Sequence, residues 1–322
     1  MKADTWQREC EVAVAAVREG ARLACEIQRH FEGTLVKADR SPVSVADFAV
    51  QALITDRIGR AFPLDVVVAE EDSAALTAPA GQPTLSSVLT WLRHALPGLE
   101  PSSVLHLIDR GRAAPTERFW VLDPVDGTQG FLRGDQYVVA LALIVREQVV
   151  VGVIGCPALR IGHPAGPIGW IAYAVRGRGA WALQEHRISP LHVSGHRDPV
   201  TARVLRSFEP AHIDLARFRA IVETLGVQEP PALMDSQAKH ALIAAGDADL
   251  LVRVPALKTY RDKIWDQAAG SLIIEEAGGR VTDLNGAALN FGTGRLLASN
   301  EGLIASNGLL HDAVVEAIQG MT

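Results

Sequence analysis

The chain has 322 residues, of which 48% are hydrophobic and 21% are charged. At roughly 150 residues per domain this length predicts about two domains, and the composition excludes a disordered chain. The 31 Lys and Arg residues against 37 Asp and Glu residues leave a net charge of −6. This balance excludes a nucleic-acid polymer as partner, because binding one requires clustered positive charge.

The N-terminal half begins with helices and continues into strands. Apolar residues recur every three or four positions over 5–31, which predicts a long helix. A second helix over 45–61, a strand over 65–69, an exposed loop over 73–84 and a helix over 86–95 follow. Further strands are predicted over 119–122, 137–145, 149–156, 168–175 and 180–183. The short turns between them are typical of an antiparallel sheet.

The pattern changes beyond the proline-bearing stretch 189–199. Strands at 202–207, 232–234, 250–254 and from 281 alternate with helices at 215–225, 237–245 and 264–277. Such alternation predicts an α/β layer. We therefore expect an N-terminal α+β domain over 1–195, which carries an antiparallel sheet and most of the candidate metal ligands. A smaller C-terminal α/β domain is expected over 196–322.

The cysteines and the apolar segments indicate a compartment. Cys10, Cys25 and Cys156 are too few for a disulfide framework, and the first two lie about 22 Å apart on one predicted helix. The first residues lack the apolar core of a signal peptide, and the longest apolar run, 137–145, is too short to span a bilayer. We expect a cytoplasmic protein without a membrane partner.

The most informative segment is the turn that follows the strand at 119–122. Asp123 and Asp126 lie on a Pro-Gly turn, where their carboxylates and the carbonyl oxygen of Val125 can ligate hard cations such as Mg²⁺. The backbone N–H groups of Gly127 and Thr128 can face an anion. The alternative is an Asx-type turn in which the acids only cap the backbone.

Further acids occupy matching places in the sequence. Glu70 and Glu71 directly follow the strand at 65–69, whereas Asp47 and Asp266 each open a helix. Taken singly, the last two would be acids that favour a helix N-terminus. Taken together, carboxylates at the ends of separate strands and helices are typical of metal-assisted phosphate hydrolysis.

These residues carry a family resemblance. Ala69-Glu-Glu-Asp72, Asp123-Pro-Val-Asp-Gly-Thr128 and Trp265-Asp266 resemble the signatures of the inositol monophosphatase superfamily. Longer strings at 39–47, 130–137, 234–239 and 260–266 resemble its 3′(2′),5′-bisphosphate nucleotidase branch. The resemblance implies an α+β fold, namely a layered αβαβα sandwich, and a Mg²⁺-dependent, lithium-sensitive phosphatase. Enzymes of this branch remove the 3′-phosphate of 3′-phosphoadenosine 5′-phosphate, a by-product of sulfate metabolism, to give AMP.

The resemblance also implies roles for individual residues. Glu70, Asp123 and the Val125 carbonyl would share a first metal, and Asp123, Asp126 and Asp266 a second. Glu70 is preferred to Glu71, because the first acid of the family's pair is the usual ligand. Asp47 and Thr128 would handle the attacking water. Five carboxylates and a phosphate dianion carry about −7, which two to three Mg²⁺ ions would largely balance.

Substrate contacts are expected from Gly127, Thr128, His212, Ser236, Lys239 and Arg253. The resemblance implies that Ser236, Lys239 and Arg253 form a pocket for the 5′-phosphate and that His212 lies near the base. The alternative is that Lys239 and Arg253 are ordinary solvated side chains. Two other functions stay open: an inositol or other small-molecule phosphate monoesterase, and a non-catalytic phosphate-binding homologue. The sequence does not distinguish a monomer from a homodimer.

Overall fold

Helices, two large sheets and a two-stranded antiparallel sheet make up the part of the chain that a computed structural model describes, residues 5–30, 34–36, 42–162, 166–208 and 213–321. The helices are α1 (Gln7–Arg29), α2 (Val45–Ala61), α3 (Ala74–Thr77), α4 (Gln82–Leu92), α5 (Pro101–Asp109), α6 (Thr128–Leu132), α7 (Leu215–Thr224), α8 (Ala238–Ala244), α9 (Ala268–Glu276) and α10 (His311–Gln319). The strands are β1 (Thr34–Val36), β2 (Pro42–Ser44), β3 (Val66–Ala69), β4 (Arg118–Asp126), β5 (Val138–Val145), β6 (Gln148–Cys156), β7 (Trp170–Val175), β8 (Ala180–Gln184), β9 (Arg187–Leu191), β10 (Val204–Arg206), β11 (Ala232–Leu233), β12 (Leu250–Arg253), β13 (Arg280–Thr282) and β14 (Leu303–Ser306). Short 3₁₀ helices lie at Pro79–Gly81, Pro199–Thr201 and Ile264–Asp266.

The larger sheet has seven strands in the order β3-β4-β5-β6-β7-β8-β9. Strands β4 to β9 are antiparallel neighbours, as the short turns predict, but β3 pairs with β4 in parallel. The parallel pair arises because α3, α4 and α5 return the chain to the start of β4. The carboxyl ends of β3 and β4 therefore meet at one edge of the sheet.

The smaller sheet has the order β11-β10-β12-β14-β13 and is also mixed. Strand β10 is parallel to β11 and β12, whereas β14 is antiparallel to β12 and β13. Strand β9 ends at Leu191 and β10 begins at Val204, and the predicted boundary at 195/196 lies in this interval. The boundary itself stays a prediction.

Alternating side chains place helices on both faces of each sheet. Along β4, Trp120 and Leu122 pack with α1 and α2, whereas Val121 packs with α8 and α9. Along β12, Leu251 faces α8 and α9, whereas Leu250 and Val252 face α7 and α10. The layers are therefore α1/α2, the large sheet, α8/α9, the small sheet and α7/α10. The expected αβαβα sandwich is confirmed.

Some local predictions were wrong. The stretch 73–84 is not an exposed loop, because α3, a 3₁₀ turn and the start of α4 occupy it and Leu76 is fully buried. The helix predicted over 264–277 is a 3₁₀ turn followed by α9. Helices α5 and α10 and strand β14 were not predicted. In the described part of the chain, no helix is long and apolar enough to cross a membrane.

Candidate active site

The carboxyl ends of β3 and β4 bring the first two acids together. Glu70 directly follows β3, and its backbone N–H donates to the Leu122 carbonyl, 3.3 Å away. Asp123 is the next residue of β4, three residues before that strand ends at Asp126, so the two acids lie near the carboxyl ends of adjacent strands. The Asp123 side chain is 2% exposed, and its Oδ1 has no hydrogen-bond partner among the described residues. A buried carboxylate oxygen without a partner is costly, and a bound cation would satisfy it.

A bulge turns the end of β4 toward the same point. The pairing with β5 shifts between Asp123 and Asp126, where Pro124 has no N–H to donate. Gly127 follows with φ 92°, a left-handed conformation that glycine adopts without strain. Helix α6 begins at Thr128. The bulge and the turn bring Asp126 close enough to Asp123 for its charge to raise the pKa of Asp123.

Asp47 and Thr128 meet as the resemblance implies. Asp47 is the third residue of α2, and its Oδ2 accepts hydrogen bonds from the Ser44 N–H and hydroxyl at 2.8 and 2.6 Å. This capping box explains why α2 begins at Val45. The Thr128 hydroxyl lies 3.4 Å from Asp47 Oδ1 and 3.1 Å from the Val125 carbonyl oxygen.

Asp266 enters from the C-terminal half of the chain. It ends the 3₁₀ turn that precedes α9, and burial raises its pKa well above the usual value despite the opposing charge of Arg253. The charges of Asp126 and Glu70 raise the pKa of Asp266 further, so the three acids are close enough to interact electrostatically. Asp266 is far from the other acids in sequence, but it lies near them in space because α9 packs directly on the large sheet.

The acids perturb one another strongly. Burial raises the pKa of Asp123 well above its usual value, and Glu70, Asp126, Asp266 and Asp47 raise it further. Glu70 raises the pKa values of Asp123, Asp126 and Asp266, and the choice of Glu70 over Glu71 as metal ligand stays a prediction. Glu71 is instead buried, with its backbone held by the Gln51 amide. Such mutual repulsion requires compensation by protons or cations.

The donor set fits a hard divalent cation, since it consists of carboxylates and one backbone carbonyl. Within the ranges that the structure describes, no group of three or more His, Cys, Asp or Glu side chains is already arranged to hold a metal ion. The acids lie within electrostatic reach of one another, without forming a finished coordination shell.

Two of the three proposed phosphate-pocket residues are cations with partners inside the protein. Lys239 is buried rather than solvated, and its Nζ donates to the Met234 carbonyl at 2.9 Å. Burial is the main cause that lowers the pKa of Lys239 to about 8, and the nearby charge of Arg253 acts in the same direction. Arg253 lies 2.9 Å from Asp262 and donates to the Tyr260 hydroxyl at 3.2 Å. The alternative of ordinary solvated side chains is therefore wrong for Lys239.

Ser236 adjoins both the turn and the cations. Its φ of 67° is left-handed, and its hydroxyl donates to Gln136 Oε1 at 3.0 Å and accepts from the Ala238 N–H. An added Cβ at Gly127 would lie 3.0 Å from Ser236 Cβ, so the two segments are in close contact. The remaining expected residue, His212, lies outside the described residues.

Sequence reasoning missed the neutral and cationic side chains that tie these segments together. Gln237 binds Asp126, Gln136 binds the 235–236 segment, and Arg295 stacks on Trp265 at 4.8 Å while it donates to the Ala69 carbonyl. Gln136 and Gln237 lie within strings that carry the family resemblance, which was the available signal. Nothing in the sequence around Arg295 indicated its role.

Comparisons with known proteins show the family of the chain. The model of the inositol monophosphatase family matches residues 6–322. The chain is 38% identical to 3′(2′),5′-bisphosphate nucleotidase 1 of Candida albicans strain WO-1, across 97% of this chain and 95% of that protein. It is also 38% identical to the 3′(2′),5′-bisphosphate nucleotidase of Oryza sativa, across 97% and 93%. Among solved structures, the Thermotoga maritima IMPase superposes with a TM-score of 0.68 at 24% identity and 96% coverage of both chains. The chain belongs to the inositol monophosphatase family.

Proposed function

We propose that this protein is a Mg²⁺-dependent phosphomonoesterase that removes the 3′-phosphate of 3′-phosphoadenosine 5′-phosphate to give AMP and phosphate. The observation that carries the proposal is the convergence of four acids: burial and the neighbouring Glu70 carboxylate raise the pKa values of Asp123, Asp126 and Asp266. The relatives at 38% identity, named as 3′(2′),5′-bisphosphate nucleotidases, support the choice of substrate.

The acids and one carbonyl would hold two to three Mg²⁺ ions. Glu70, Asp123 and the Val125 carbonyl are the ligands proposed for the first, and Asp123, Asp126 and Asp266 for the second. When bound, the ions lower the pKa of water and stabilise the charge on the leaving 3′-oxygen. The protein's own contribution would be to collect the carboxylates near the carboxyl ends of β3 and β4 and to leave Asp123 Oδ1 without a hydrogen-bond partner among the described residues.

The Asp47–Thr128 pair is proposed to orient the attacking water. The Thr128 hydroxyl has one hydrogen, which it can donate to Asp47 Oδ1, and its lone pairs then accept a hydrogen bond from water. Asp47 is the terminal proton acceptor of this relay. The backbone N–H groups of Gly127 and Thr128 would hold the phosphate oxygens, since the left-handed turn at Gly127 exposes them at the start of α6.

Lys239 and Arg253 are proposed to bind the 5′-phosphate together with Ser236. Lys239 offers a compact charge and Arg253 a fork of donors, and Arg253 is close enough for its charge to lower the pKa of Lys239. A dianion would replace the Met234 carbonyl at Lys239 and compete with Asp262 at Arg253. His212 is retained as the proposed contact to the base.

The same proposal includes properties implied by the family resemblance. They are lithium sensitivity, a place in sulfur metabolism and a cytoplasmic location. The partner is a small nucleotide bisphosphate rather than a polymer or a membrane, and the protein acts as a monomer or homodimer. The two-domain division at 195/196 belongs to the proposal as well.

A second candidate is an inositol or other small-molecule phosphate monoesterase. The observation that favours it is that Lys239 and Arg253 already have partners in the protein, so a substrate with one phosphate needs no rearrangement. A non-catalytic binding protein is less consistent with the site, because binding alone gives no use for the Asp47–Thr128 pair.

The test is Mg²⁺-dependent phosphate release from 3′-phosphoadenosine 5′-phosphate and from inositol 1-phosphate. A preference of about 100-fold in kcat/KM for the nucleotide, about 2.7 kcal/mol, is expected if the second phosphate is bound. Lys239→Ala should abolish most of that preference, and the exposed Lys258→Ala is the matched control. Equal rates on the two substrates would favour the second candidate, and no release from either would refute both.

A further inference from the structure

Gln237 is a buried amide at the centre of the candidate site. It precedes α8 and is 1% exposed. Its backbone N–H donates to Asp126 Oδ2 at 2.7 Å, and its side-chain Nε2 donates to the same oxygen at 3.1 Å. One carboxylate oxygen thus accepts two hydrogen bonds from a single residue.

The same amide also binds the segment that carries Asp266. Nε2 donates its second hydrogen to the Trp265 carbonyl at 2.9 Å, and Oε1 accepts from the Gly270 N–H in the first turn of α9 at 3.0 Å. Both hydrogens and the oxygen of the amide are used. This bonding pattern admits one orientation only, because a flipped amide would point its oxygen at the Trp265 carbonyl and at Asp126.

The three partners come from two distant parts of the chain, one at Asp126 and one at 265–270. Asp126 ends a strand of the large sheet, Trp265 adjoins Asp266, and Gly270 lies in the helix layer between the two sheets. A fully hydrogen-bonded buried amide of this kind is rigid, whereas a partly satisfied one would be costly. Gln237 therefore fixes the position of the Asp126 carboxylate relative to Asp266.

We propose that Gln237 is a positioning residue for the cation site: it holds Oδ2 of Asp126, so that Oδ1 is the oxygen left for the metal, at a set distance from Asp266. The inference rests on the metal requirement of the proposed function but not on the identity of the substrate. Partners that orient a metal ligand typically contribute 10- to 100-fold to metal affinity.

The variant Gln237→Met keeps the length of the side chain and removes all three side-chain hydrogen bonds, while the backbone N–H still reaches Asp126. Asn300→Leu is the matched control. Asn300 is also a buried amide, with bonds to the carboxylate of Asp283, the Ala288 carbonyl and the Asn290 N–H, none of which belongs to the site. Both variants should lose comparable stability. Gln237→Ala serves as the second variant at the site.

The measurement is Mg²⁺ binding to the full-length protein by isothermal titration calorimetry, without substrate. We expect Gln237→Met and Gln237→Ala to raise the Mg²⁺ dissociation constant about 10- to 100-fold. Asn300→Leu should leave it unchanged. In the activity assay the Mg²⁺ concentration at half-maximal rate should rise in parallel, with KM for the phosphate substrate little changed.

Normal Mg²⁺ affinity in both Gln237 variants would overturn the inference, as would an equal loss of affinity in Asn300→Leu. Failure of the proposed function gives a different result. If the wild-type protein binds Mg²⁺ but hydrolyses another phosphate ester, the substrate assignment falls and the role of Gln237 stands. If the wild-type protein binds no Mg²⁺, both fall.

Discussion

Asp123→Asn should change stability in opposite directions with and without metal. Asp123 is buried, and burial and four neighbouring acids raise its pKa well above the usual value, so its charged form opposes folding in the metal-free protein. Each unit of raised pKa that is titrated costs about 1.4 kcal/mol. Neutral Asn removes this cost, and each kcal/mol gained raises Tm by about 2 to 4 °C, the figure for domains of 150–250 residues. In EDTA at pH 7.5 the variant should therefore melt above the wild type.

With Mg²⁺ the order should reverse. A ligand at 100 times its dissociation constant stabilises the folded state by about 2.7 kcal/mol, and Asp123→Asn should lose most of this gain together with activity. The matched control is Asp249→Asn. Asp249 is also buried, but Arg203 and Ser194 hold its pKa below the usual value, so its charged form favours folding. This control should melt lower in both conditions.

Differential scanning calorimetry of the three proteins in EDTA and in Mg²⁺ tests the prediction. A metal-free Asp123→Asn protein that melts below the wild type would refute the reasoning, because it would mean that the Asp123 carboxylate is satisfied by the protein alone. An unchanged Mg²⁺ response in that variant would remove Asp123 from the metal ligands.

Four further outcomes follow from the site. The increase in Tm that Mg²⁺ produces should become larger from pH 5 to pH 8. Acids whose pKa values are raised in the folded protein keep protons that compete with the cation, and they lose these protons as the pH increases. A Mg²⁺-dependent increase in Tm that is the same at every pH would contradict this. The pKa of Lys239 is lowered to about 8, so the side chain loses its charge above that pH. The KM for the nucleotide bisphosphate should therefore increase between pH 7 and pH 9, whereas the KM for inositol 1-phosphate should not. Parallel changes in KM for both substrates would exclude a role of Lys239 in 5′-phosphate binding. Gly127→Ala should lower kcat more than about 10-fold, because backbone strain of about 1 to 3 kcal/mol at φ 92° adds to a Cβ contact of 3.0 Å with Ser236. The control Gly98→Ala, at φ 75° with no neighbouring atom within 4 Å, should keep full activity. Equal kcat losses in the two variants would mean that backbone strain alone matters. Arg295→Lys should lower Tm and Mg²⁺ affinity, because lysine cannot keep both the stacking on Trp265 and the hydrogen bonds to the Ala69 and Gly111 carbonyls. Unchanged Tm and Mg²⁺ affinity in this variant would show that these contacts are dispensable.

Periodicity and turn residues predicted much of the fold. Helix α2 was placed at its observed bounds, because its N-cap serine and acidic third residue form a capping box that is local in sequence. The prediction over 73–84 was wrong for the opposite reason. Its Pro and Gly residues interrupt any long helical pattern, but the Ala-rich segment before them forms a short helix that buries Leu76 in the core. The parallel pairing of β3 with β4 could not be predicted either, since it depends on α5, which was missed.

The candidate acids could be proposed from the sequence because each lies near the end of a strand or the start of a helix, and such positions leave a pattern in the sequence. The residues that join them leave none. Gln237 and Arg295 act through backbone carbonyls and amides of remote segments, at Trp265, Gly270 and Ala69. A hydrogen bond to a backbone group places no requirement on the residue type of its partner. Such ties become visible only once the segments are folded together.

The contacts of Gln237 and Arg295 also explain how carboxylates that repel one another are held close together in the metal-free protein. Asp126 is fixed by two donors of Gln237, and the Trp265 segment is bound on one side by that amide and on the other by the guanidinium of Arg295. Neither tie neutralises a carboxylate that the metal needs, because one is uncharged and the other stacks on an indole and binds carbonyl oxygens. Gln237 and Arg295 therefore leave the carboxylates without a counter-charge from themselves, while they hold the backbone segments that carry the acids together. At the proposed Mg²⁺ site, this arrangement would present the cation with carboxylates in fixed positions that Gln237 and Arg295 do not neutralise.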